Sequence, residues 1–172
     1  GADALEKIKD ARGASFLDID EDGSLDIMIQ RDGSAGGISR KFAFIKNNYY
    51  NDAFFMKTLV ANGACDGLCK AQGISDERYH PYGVSYSGAS VKFTIFDSTG
   101  VRRATQVAQI PQTSYLSLLT PYSFFGLGRT NNYVENLFVG STRHQPKHFT
   151  NIEGLIPNSQ VFILPYQPEG ES

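Results

Sequence analysis

Apolar and polar residues alternate most regularly in Ser90-Val91-Lys92-Phe93-Thr94-Ile95-Phe96, which puts Val91, Phe93 and Ile95 on one side of an extended chain. Asp97-Ser98-Thr99-Gly100 then has turn chemistry, so residues 102–110 are expected to return as the partner strand of a hairpin. Leu25 to Gln30, Lys41 to Asn47 (with Phe42 and Phe44 on one side), Phe54 to Val60, Tyr133 to Val139 and Gln160 to Leu164 read as further short strands. Pro157-Asn158 marks the turn before the last of them. Only the first twelve residues offer a helical face, through Leu5 and Ile8. The pattern predicts an all-β chain.

One stretch breaks the alternation with charge. Asp18-Ile19-Asp20-Glu21-Asp22-Gly23-Ser24-Leu25-Asp26 places carboxylates at alternate positions and again at its end, with Gly23 where the chain must turn sharply. Asp18, Asp20, Asp22 and Asp26 can converge on one hard cation, with Ser24 adding its backbone carbonyl, and Ca²⁺ is the expected ion. An EF-hand would need a glutamate where Ile29 stands, and helices on both sides. The flanks are strand-like instead, so the expectation is a calcium loop that joins two strands. The plain alternative is an acidic, solvated turn, because four crowded carboxylates need either a metal or water.

Composition narrows the classes. The 172 residues are 41% hydrophobic and 20% charged, with a formal charge of −2, which suits a folded domain and not a nucleic-acid surface. Arg102-Arg103 and Lys147-His148 are small basic spots in an acidic chain. No apolar run approaches the ~20 residues that span a bilayer. Cys65 and Cys69 are too few for a structural zinc site; their spacing suits a small disulfide loop in an oxidising compartment, with free thiols the alternative. The chain has no Asn-x-Ser/Thr acceptor.

Several stretches carry a resemblance. The Asp18 to Asp26 loop between strands resembles the FG-GAP repeat of integrin α-subunit propellers, which implies that the metal staples a hairpin and does no chemistry. Gly83 to Val91, Ser114 to Ser117 and Phe125-Gly126-Leu127-Gly128 resemble the ASPIC/UnbV domain, with the two glycines expected at a tight corner between strands. Tyr49 to Phe55, Asn62 to Cys65, Tyr79 to Ala89, Pro111 to Tyr115 and Phe125 to Gly140 together are similar to the T-cell immunomodulatory protein (Linkin) family over nearly the whole chain. The implied layout is a partial FG-GAP propeller blade with its calcium loop in 1–62, a disulfide-containing linker in 63–81, a β-sandwich in 82–166 and a membrane-proximal tail in 167–172. The family implies the extracellular side of a single-pass membrane protein, or a secreted form, with a transmembrane helix outside this chain. It implies a protein partner and a role in adhesion or T-cell responses, and it brings no catalysis.

The catalytic motifs in the chain are incomplete. Val84-Ser85-Tyr86-Ser87-Gly88 lacks the first glycine of a nucleophile elbow, and Gly126-Leu127-Gly128 lacks the context of a dinucleotide fingerprint. His144, His148 and Glu153 have no helical spacing to join them on a metal, and His80 beside Pro81 reads as a loop residue. The competing reading is a carbohydrate-binding accessory domain or secreted hydrolase fragment, with Asp97, Glu135 and Glu153 as the available acids. Tyr49, Tyr50, Phe54, Phe55 and Tyr133 form either core or a contact surface for protein or sugar.

Overall fold

The computed structural model describes residues 2–33, 41–49, 52–62, 69–70, 78–79, 84–110, 112, 117–130, 133–142 and 148–164. The chain divides into two compact units, Gly1–Asp52 with Gln112–Thr120, and Ala53–Pro111 with Pro121–Ser172.

The first unit opens with a short helix, α1 (Ala2–Glu6), followed by β1 (Ala11–Leu17), β2 (Asp26–Arg31) and β3 (Phe42–Ile45). These strands form an antiparallel sheet in the order β1-β2-β3. Facing positions run Phe16–Ile27–Ile45 and Ser15–Met28–Phe44 across it, and Ile29 on the central strand is buried. Phe16, Phe42 and Phe44 remain exposed. The open end of the β1–β2 hairpin is closed by charge. Buried Asp10 accepts from Arg31 Nε at 2.7 Å and from the Gly33 N–H at 3.2 Å, and the Arg31 bond holds its carboxyl below the ordinary range. Gly13 sits close to Leu118: a Cβ there would lie 3.0 Å from Leu118 Cδ1, so that side chain would have to shift by a few tenths of an ångström.

The second unit contains β4 (Phe54–Asn62), β5 (Cys69–Lys70), β6 (Arg78–Tyr79), β7 (Val84–Ser85), β8 (Ser90–Phe96), β9 (Arg102–Ala108), β10 (Ser123–Gly128), β11 (Val134–Gly140), β12 (Phe149–Leu155) and β13 (Ser159–Ile163). One sheet runs β10-β4-β13 with β7 also on β4, another runs β12-β11-β8-β9, and β5 pairs with β6. Inward residues of the two larger sheets, among them Met56, Val60, Val91, Phe93, Phe125 and Leu137, form one apolar cluster, so this unit is a β-sandwich. Phe93 and Phe125 meet edge to face at 5.0 Å. Gln109 ties the layers together: its side chain accepts from the Val60 N–H at 3.0 Å and donates to the Val60 carbonyl at 2.6 Å, as a strand neighbour would.

The all-β expectation holds, and the predicted strand Ser90 to Phe96 matches β8 residue for residue. Two expectations change. β4, expected in the 1–62 blade, pairs with β10 and, in parallel, with β13, so the division falls after Asp52. Phe125-Gly126-Leu127-Gly128, expected at a corner, lies in β10, where Phe125 and Leu127 are buried and the glycines are exposed. Cys65, His80, His144 and the tail at 167–172 lie outside the described residues, as does most of the 63–81 linker.

Candidate metal loop

β1 and β2 pair up to Leu17 opposite Asp26, which leaves 18–25 as the connecting loop. Two residues turn it in the left-handed region, Glu21 at φ 60° and Gly23 at φ 85°. Gly23 suits that conformation, whereas Glu21, with a Cβ, is an uncommon residue there. Asp18, almost wholly buried, organises the turn: Oδ1 accepts from the Asp22 N–H at 3.1 Å and Oδ2 from the Gly23 N–H at 3.2 Å. Asp22 Oδ1 in turn accepts from the Ser24 N–H at 2.8 Å. These bonds curl the backbone so that one carboxylate oxygen each from Asp18, Asp20 and Asp22 lies within 4.8 Å of the others.

Asp26 stands apart from that trio. It is 1% exposed, and its two oxygens accept from the N–H groups of Ile19 at 3.2 Å and Asn47 at 2.7 Å. It therefore joins the loop's entry to the segment leaving β3, and Asn47 Nδ2 adds a bond to the Leu25 carbonyl at 3.3 Å. The same segment delivers Lys46, whose Nζ forms an ion pair with Asp20 Oδ2 and lies 3.7 Å from Asp22 Oδ2. The hydrogen bond to Asp20, with that carboxylate's charge, raises the Lys46 pKa above the ordinary lysine value, and the same bond lowers that of Asp20. The sequence reading missed Lys46 and Asn47. Their only signal was their place just after a strand in the same hairpin system, since contacts 21 and 26 residues apart leave no local pattern.

The three converging oxygens suit part of a calcium shell, which takes about six to eight oxygens. Carboxylate oxygens about 2.3–2.6 Å from one ion lie no more than about 5 Å apart, as the trio does, and hard oxygen donors are what calcium takes. Asp18, Asp20 and Asp22 would hold the ion and Asp26 would brace the loop around it. The ion would supply charge neutralisation alone.

The acids of the hydrolase reading lie elsewhere and are not gathered. Asp97, at the end of β8, is buried in its own turn: Oδ1 accepts from the Thr99 N–H at 2.9 Å, Thr99 Oγ1 at 2.6 Å and the Val101 N–H at 3.0 Å, while Oδ2 accepts from Arg103 Nε at 2.9 Å. Those donors, Thr99 first, hold its carboxyl far below the ordinary range. Glu135 is exposed on β11, and exposed Glu153 on β12 bonds Asn151 at 3.0 Å. His148 makes an edge contact with the Phe149 ring at 5.3 Å. Of the singled-out aromatics, Tyr49 and Tyr133 are exposed, and Phe55 stacks on Phe124 at 5.4 Å. Among the described residues no helix is long and apolar enough to cross a membrane.

Residues 81–172 match the family described as ITFG1, C2 domain, where an ASPIC/UnbV-like domain was expected. The chain is 35% identical over 167 residues to T-cell immunomodulatory proteins of Macaca fascicularis and Homo sapiens, covering 94% of this chain and 51% and 26% of theirs. It is 30% identical over 158 residues to protein linkin of Caenorhabditis elegans, covering 88% of this chain and 24% of that protein. The chain thus spans between about a quarter and a half of the length of these relatives. No solved structure matches it. The resemblance carried by the aromatic and glycine-rich segments is borne out, and the chain belongs to the ITFG1, C2 domain family.

Proposed function

We propose that the chain is a non-catalytic interaction module of an extracellular protein that acts in adhesion or T-cell modulation, with a calcium ion stapling the hairpin at 18–26. The observation that carries the calcium reading is the convergence of Asp18, Asp20 and Asp22 within 4.8 Å on a strand-to-strand loop. Millimolar calcium outside cells would fill such a loop even at modest affinity. The adhesion and immune reading draws on the names of the relatives, T-cell immunomodulatory protein and linkin. A propeller blade is supported by the β1-β2-β3 sheet, whose exposed Phe16, Phe42 and Phe44 suit a sheet stacked among others in a longer protein. The non-catalytic reading draws on Asp97, whose carboxylate is saturated by donors and poorly suited to proton transfer. The partner is a protein, and the membrane is reached through a helix outside this chain.

Thermal unfolding with calcium and with chelator tests this, on wild type and Asp20→Ala. Calcium at about 100 times its dissociation constant stabilises by roughly 2.7 kcal/mol, a shift of several degrees. The shift is expected in wild type and reduced or lost in the variant. Equal melting of wild type in calcium and chelator overturns the staple.

A further inference from the structure

Lys46 reaches the loop from the segment leaving β3, outside the β1–β2 hairpin that carries the loop. Its ammonium pairs with Asp20 and lies 3.7 Å from Asp22, two of the three carboxylates whose oxygens converge. Both oxygens of Asp18 and of Asp26 accept from backbone N–H groups, as does Asp22 Oδ1, whereas Asp20 Oδ2 and Asp22 Oδ2 face this side chain. Resting on the calcium reading above, we propose that Lys46 is a tethered counter-cation: it neutralises the loop when no divalent ion is bound and must be displaced from Asp20 and Asp22 when one binds.

The consequence is selectivity as well as tuning. A monovalent ion carries the same charge as the ammonium and gains nothing by replacing a group already tethered beside the carboxylates. A divalent ion brings twice the charge to three converging carboxylates and can win that exchange. Lys46 therefore lowers calcium affinity and keeps the loop folded in calcium-poor conditions. Its side chain is half exposed, at 53%, so it can swing into water without leaving a buried charge.

Calcium titration by calorimetry, paired with thermal unfolding in chelator, tests the assignment on wild type, Lys46→Met, Lys46→Arg and Asp20→Ala. Lys46→Met is expected to bind Ca²⁺ roughly three- to tenfold more tightly and to melt lower in chelator. Lys46→Arg, which keeps the charge, should stay near wild type in both, and Asp20→Ala supplies the baseline of a damaged loop. Unchanged or weaker calcium binding by Lys46→Met, with wild type still responding to calcium, overturns the counter-cation role and leaves the staple standing. Calcium uptake by neither wild type nor Lys46→Met overturns the staple and this role with it.

Discussion

Among the described residues, the first unit fully buries one apolar side chain, Ile29, together with three aspartates, Asp10, Asp18 and Asp26. The second buries an apolar cluster drawn from both of its larger sheets. The two units are thus ordered by different means: carboxylates bracing backbone N–H groups in one, area removed from water in the other. The contrast is sharpest in their two aspartate-bearing hairpin turns. At Asp97 one carboxylate meets three donors from its own turn and a fourth from Arg103 on β9, which leaves neither oxygen without a partner. From Asp18 to Asp26 the four aspartates present more carboxylate oxygens than there are backbone N–H groups bonded to them, and oxygens of Asp20 and Asp22 face Lys46 instead. Surplus carboxylate oxygens, and not acidity as such, distinguish the first turn from the second.

The largest effect that separates the units should come from the sandwich core. Leu137 on β11 is fully buried, and Leu137→Ala leaves a cavity worth about 2–5 kcal/mol of stability. Denaturant unfolding should register that loss equally in calcium and in chelator, because the side chain contributes nothing to the loop. A loss that vanishes in one of the two conditions would mean that core and loop are coupled, and the contrast would fail.

Much of this division could be read from residue pattern. Val91, Phe93 and Ile95 announced β8 because one of its faces is apolar and buried, and the alternation survives in the sequence. The trio Asp18, Asp20 and Asp22 was legible for the same reason: a local spacing sets their geometry. What stayed hidden is non-local or faceless. β12, Phe149-Thr-Asn-Ile-Glu-Gly-Leu, is an edge strand without a buried residue, so it leaves no alternation to find. β10 carries two glycines that signal a turn, yet Phe125 and Leu127 keep period two and the sheet overrides the signal. β4 looked like a continuation of the N-terminal strands because its partners β10 and β13 lie far along the chain. Lys46 could not be assigned to the loop from sequence, since a lysine after a strand has no preferred partner.

A smaller effect distinguishes the two turns by pH. The Asp97 carboxyl is held below its ordinary value by Thr99, the Val101 N–H and Arg103. Its folded-state pKa is depressed, so its contribution is present above the unfolded carboxylate value of about 3.9 and is lost as pH falls below it toward the folded value. Asp97→Asn should lower the melting temperature at neutral pH in calcium and chelator alike, and flatten the acid limb of the stability curve. A calcium-dependent loss in Asp97→Asn would place this turn in the same class as the candidate metal loop and dissolve the distinction.

The smallest expected change runs in the stabilising direction. Thr58 on β4 points into the sandwich, is wholly buried, and its Oγ1 has no hydrogen-bond partner. A buried hydroxyl without a partner forfeits its hydration with nothing in return, at a cost of about 1–3 kcal/mol. Thr58→Val replaces that hydroxyl with a methyl of similar size among Met56, Val60 and Phe125, so no large cavity or clash offsets the gain. The variant should gain about 1 kcal/mol, with calcium binding at the loop unchanged. If Thr58→Val instead destabilises the unit, the hydroxyl has a partner in solution, a buried water being the natural one, and polar bracing reaches into the sandwich as well.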